Sequence, residues 1–82
     1  MLELELRISA REALDECGRR GLVIRSEREL AGHPGSRHWH LRMPDRSGTL
    51  ELSESQSRVW VKVPPLRNGG WASDLARQLS AL

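Results

Sequence analysis

Leu2, Leu4, Leu6 and Ile8 alternate with Glu3, Glu5 and Arg7. A period of two is the pattern of a strand with one buried face. Leu and Glu are also good helix formers, so an early extension of the following helix competes with this reading. The strict alternation favours the strand. At Ser9 the pattern changes: Ser9-Ala10-Arg11-Glu12 has capping-box spacing, with Ser9 accepting from the Glu12 amide and Glu12 reaching back. Ala10, Ala13, Leu14 and Cys17 then share one helical face, and Gly18 and Gly21 predict the stop. On that face Cys17 reads as a small core residue rather than a catalytic thiol.

Leu22-Val23-Ile24-Arg25 opens a second strand that runs to about Arg28, and 29–36, with Gly32, Pro34 and Gly35, reads as a loop. Three more strand-like segments follow. His38 to Met43 is ended by Pro44-Asp45-Arg46-Ser47-Gly48. Thr49 to Ser53 leads into a polar turn from Glu54 to Ser57. Arg58 to Val63 is stopped by Pro64-Pro65. A closing helix starts at about Trp71, with Trp71, Leu75, Leu79 and Leu82 as its apolar stripe and Ala72 and Ala76 widening it. The Asn68-Gly69-Gly70-Trp71 junction reads as a turn that lets Trp71 pack on the sheet, ahead of an anion site at the helix start. The predicted fold is α+β, in the order β-α-β-β-β-β-α. It has a small antiparallel sheet of three to five strands with two helices packed on one face.

Side-chain phase assigns the two faces, because paired strands must agree on which residues point inward. Pairing Met43 with Leu50 sets Leu41 opposite Leu52, and pairing Leu52 with Val59 sets Leu50 opposite Val61. The dry face is then Trp39, Leu41, Met43, Leu50, Leu52, Val59, Val61 and Val63. The other face carries His38, His40 and Arg42, then Thr49, Glu51 and Ser53, then Arg58, Trp60 and Lys62. In these registers Arg42 falls opposite Glu51, and Glu51 opposite Trp60. Trp60 is the positional oddity: a large aromatic on a polar, cation-rich surface.

Composition narrows the function classes only partly. The 82 residues fit a single domain spanning 1–82, with a core small enough that a partner or self-association would help stability. All aromatic surface sits in Trp39, Trp60 and Trp71. No apolar run is long enough to span a bilayer, and the first residues lack the pattern of a secretory signal, so a cytoplasmic location is expected. The lone Cys17 excludes an internal disulfide and a multi-cysteine zinc site. The net charge of +2 is too small to demand a polyanion. Lys62 is the only lysine and the other basic residues are arginines, whose planar fork suits phosphate or carboxylate. A GC-rich genome explains the same bias. No cofactor is expected.

The polar face therefore carries the functional expectation: a non-catalytic binding module. Trp60 is its anchor, and Arg58, Lys62, Arg42, His40 and Glu51 are its polar contacts. A tryptophan ringed by Arg and Glu suits a protein interface, most simply a homodimer. The alternative is RNA, since an aromatic ring stacks bases and Arg and Lys meet phosphates, although Glu51 has the wrong sign for that. His38 and His40 point the same way on a strand and could chelate a metal if Glu51 or His33 supplied a third ligand, but no metal site is assigned. No serine triad, Cys-His pair or glycine-rich phosphate loop is legible.

The run from the first helix through Gly21-Leu-Val-Ile-Arg to Gly35-Ser36-Arg37-His38 resembles the small toxin ribonucleases of the HicA type. That resemblance covers roughly the middle half of the chain. It implies a compact helix–three-strand–helix fold similar to double-stranded-RNA-binding domains, with a catalytic histidine in a Gly-Ser-His signature. Here Arg37 follows Gly35-Ser36 and His38 comes one place late, on the polar face where Arg37 is not. Under that resemblance His38 is the catalytic candidate, and ribonuclease is the enzymatic alternative.

Overall fold

The computed structural model describes residues 2–29, 35–65 and 70–82. The alternating start is a strand, β1 (Leu2–Leu6), and the capping box opens α1 (Ala10–Arg19). Both capping-box bonds are present, Glu12 N to Ser9 Oγ and Ser9 N to Glu12 Oε1, each 3.1 Å. At the other end Gly21 takes φ 88°, its amide donates to Gly18 O, and the Leu22 amide donates to Cys17 O. This pair of bonds is a Schellman stop, and it requires the left-handed residue that glycine supplies.

The remaining elements are β2 (Val23–Glu29), β3 (Arg37–Arg42), β4 (Leu50–Ser55), β5 (Arg58–Val63) and α2 (Gly70–Ser80). The strands form one antiparallel sheet in the order β1-β5-β4-β3-β2. The element order and α+β class are those expected from the sequence, with five strands in the sheet. Alternate residues Trp39 and Leu41, Leu50 and Leu52, and Val59, Val61 and Val63 are buried with Leu6. Ala10, Ala13 and Cys17 from α1 and Ala72, Leu75, Ala76 and Leu79 from α2 join them in one hydrophobic cluster, against which Met43 and Trp71 are partly buried. Trp39 satisfies its indole N–H on Glu27, and Trp71 donates to Ser47 O at 2.6 Å, tying α2 to the β3–β4 connection. Leu82, expected in the helix stripe, is instead 55% exposed, because α2 ends at Ser80.

Both hairpin registers differ from the expected ones by two residues. Leu41, not Met43, pairs with Leu50, and Leu52 pairs with Val61 rather than Val59. In the second hairpin the reason is a tight turn. β4 continues to Ser55, which pairs with Arg58, so only Gln56 and Ser57 lie in the turn, where four turn residues were expected. Gln56 carries a positive φ of 55° to close it. In the first hairpin a turn closed by Arg46 N on Met43 O, with Gly48 at φ 112°, removes residues from the strand ends. A displacement of two leaves every side chain on its own face and changes every cross-strand neighbour. No helix among the described residues is long and apolar enough to cross a membrane.

Candidate functional site on the open sheet face

Residues paired across a sheet point to the same side, so the pairings map the open face strand by strand. On β1, Glu5 pairs with Trp60 and Glu3 with Lys62. On β4, Lys62 pairs with Glu51 and Trp60 with Ser53. On β3, Ser53 pairs with His38 and Glu51 with His40. On β2, His38 pairs with Arg28, His40 with Ser26 and Arg42 with Val23; a bulge lies between Ile24 and Ser26. All seven residues singled out from the sequence, His38, His40, Arg42, Glu51, Arg58, Trp60 and Lys62, thus share the open face. They do not form one cluster.

Two groupings emerge. In the first, the Arg58 guanidinium carbon lies 5.4 Å from the centre of the Trp60 ring, within cation–π range. Arg58 also reaches Glu5, Nη2 to Oε1 at 3.3 Å. Trp60 is therefore partly screened by an arginine that β1 anchors.

The second grouping centres on His38, His40 and Glu51. Because His38 and His40 are two residues apart on β3, both imidazoles stand on the same side. Their Nε2 atoms are 3.0 Å apart and the rings meet edge to face. Glu51 Oε1 lies 3.1 Å from His38 Nε2 and 3.5 Å from His40 Nε2. The far nitrogen of His38, Nδ1, lies 2.7 Å from Ser53 Oγ, and Ser53 is buried. The His38 and Glu51 side chains are about one-fifth exposed, at 18% and 19%, while that of His40 is 37% exposed.

The expected neighbours need correction here. Arg42 does not face Glu51: His40 holds that place, while Arg42 pairs with Val23 near the β2 end of the face. Likewise Lys62, not Trp60, stands across from Glu51. Of the two candidate third partners for the histidine pair, Glu51 is brought into contact, and His33 lies outside the described residues. Glu3, Glu5 and Ser53 also belong to this face, beyond the residues expected at the site. Their phase was visible, but the placement of β1 beside β5 was not.

Charge is unevenly spread across this face. Glu3 and Glu5 line the β1 side, whereas Arg28 and Arg42 lie toward β2. Pro44 to Thr49, Arg25 and Arg42 border a separate polar hollow at the end of the sheet. No family model, no curated protein and no solved structure matches this chain.

Proposed function

We propose that this domain is a non-catalytic binding module that acts through the open face of its sheet, and that its first partner is a second copy of itself. The observation that carries the reading is the polarity of that face: acidic along β1 (Glu3, Glu5), basic toward β2 (Arg28, Arg42), with Trp60 and its Arg58 cover between. A two-fold axis lying over such a face and parallel to its strands lays the acidic edge of one copy on the basic edge of the other. Trp60 supplies the large amphipathic surface that anchors interfaces of this kind. RNA fits less well, because Glu3, Glu5 and Glu51 interrupt the cations that phosphates would need, and Arg58 is already engaged by Glu5. A HicA-like ribonuclease would use His38, whose Nε2 here faces His40 and Glu51 rather than open solvent alone.

Light scattering across a range of concentrations tests the proposal. The expected result is twice the chain mass, reduced to the chain mass by Trp60→Glu and by the charge reversal Glu5→Arg. A native protein that stays at the chain mass at the highest concentration overturns self-association. Salt-sensitive binding of an RNA pool that is lost in Trp60→Ala would turn the same face over to nucleic acid, and RNA cleavage lost in His38→Ala would make it an enzyme.

A further inference from the structure

We propose that His38, His40 and Glu51 form a binding site for a divalent transition metal, with zinc as the reference ion. The proposal concerns β3 and β4 alone and does not depend on self-association.

The geometry of the three donor atoms carries it. An ion bound tetrahedrally with bonds of ~2.0–2.1 Å holds its ligand atoms ~3.3 Å apart. The triangle formed by His38 Nε2, His40 Nε2 and Glu51 Oε1 has edges of 3.0, 3.1 and 3.5 Å, which straddle that spacing. A sheet delivers such a triangle economically. Two positions on one strand supply the imidazoles, and the Cα partner of the second supplies the carboxylate.

The support around the triangle is an independent observation. Metal-bound histidines hand their second ring N–H to a neighbouring acceptor, which fixes the tautomer and ring angle. His38 has that neighbour in the buried Ser53 hydroxyl, 2.7 Å from Nδ1. With a metal on the ring, Nδ1 would donate to Ser53 Oγ and leave the Nε2 lone pair for the ion held between His40 Nε2 and Glu51 Oε1. A proton bridges one edge of this triangle at a time, whereas a divalent ion serves all three.

Donor chemistry then selects the ion. Two imidazoles and a carboxylate suit zinc and its neighbours in the first transition row better than magnesium or calcium, which prefer oxygen ligands alone. Among the described residues no other His, Cys, Asp or Glu joins the cluster. The ion would therefore keep at least one position for water or a ligand from outside, on the side where His40 is exposed. Two cations border the site: Lys62 pairs with Glu51, and Arg28 pairs with His38. Both oppose an added divalent charge, so removing Lys62 should strengthen binding.

The test is calorimetric titration of the chelator-treated full chain with Zn²⁺, paralleled by Co²⁺ with visible absorption as the report on coordination. One ion per chain is expected in the native protein. Affinity should fall about tenfold or more in His40→Ala, His38→Ala and Glu51→Gln. It should persist in His33→Ala and rise in Lys62→Ala. Circular dichroism confirms the fold of each variant, and the exposed His40→Ala with the isosteric Glu51→Gln decides the matter if His38→Ala is poorly folded. Absence of saturable binding by the native chain, or equal affinity in a His40→Ala/Glu51→Gln double variant, overturns the site and leaves a hydrogen-bonded cluster only.

Discussion

His38 is braced by Ser53: Nδ1 and Oγ are 2.7 Å apart across the β3–β4 pairing, and the serine is almost fully buried. This contact determines which nitrogen of the ring is left to face His40 and Glu51. Nitrogen NMR of the zinc-bound protein should find His38 carrying its proton on Nδ1, with Nε2 on the metal. Ser53→Ala removes the acceptor for that proton and should weaken zinc binding by about 10–100-fold while the sheet stays folded.

The bond from Trp71 Nε1 to Ser47 O joins the first turn of α2 to the β3–β4 connection. Phenylalanine keeps most of the ring and removes the donor. Trp71→Phe should lower stability by about 1 kcal/mol in chemical denaturation, the usual net value of one such bond. A loss no greater than the scatter among surface substitutions would show that packing alone holds α2 in place.

Burial pushes the Cys17 thiol up from 9.0 to about 11. The native state therefore keeps a proton that the unfolded chain gives up in this range. Stability is unaffected below pH 9.0, falls as pH rises toward about 11, and levels off beyond that. Denaturant midpoints measured along this ramp should fall in the native chain and stay flatter in Cys17→Ala. A thiol reagent should label the unfolded chain quickly and the folded chain only at the rate of opening.

Gln56 closes the β4–β5 turn at φ 55°. A side chain in that region costs roughly 1–2 kcal/mol, and glycine avoids this cost while losing about 0.5–1 kcal/mol to its freer unfolded chain. Gln56→Gly should therefore raise stability by about 0.5–1 kcal/mol, read as a higher melting temperature. A fall would show that the Gln56 side chain contributes something the turn geometry does not reveal.

The faces of the sheet were legible because alternation is local: Leu41 and His40 differ in polarity within a single strand, and no knowledge of partners is needed to separate them. The registers were not, since they depend on how many residues a turn consumes. Glu54 and Ser55 look like turn residues because they are polar, yet they complete β4 and leave only Gln56 and Ser57 outside the pairing. The matching two-residue difference in the β3–β4 hairpin preserved every face assignment and replaced Arg42 by His40 beside Glu51. It separates a salt-bridged surface from a convergent donor set. The neighbours of Trp60 were hidden for a different reason. Strand order is a long-range property, and nothing in Leu2 to Leu6 specifies that Glu5 will lie beside Trp60.

β2 closes one side of the sheet, and its outer edge faces no further strand among the described residues. The register shift between Ile24 and Ser26 breaks the regular spacing of its free amides and carbonyls. Arg25, Glu27, Arg28 and Glu29 add charges of both signs along it. Such an edge is a poor template for an incoming strand. Exposed Val23 and Ile24 can then lie next to an open edge without seeding stacked filaments of the chain. Deleting Arg25 to smooth the strand should convert this protected border into an aggregation site.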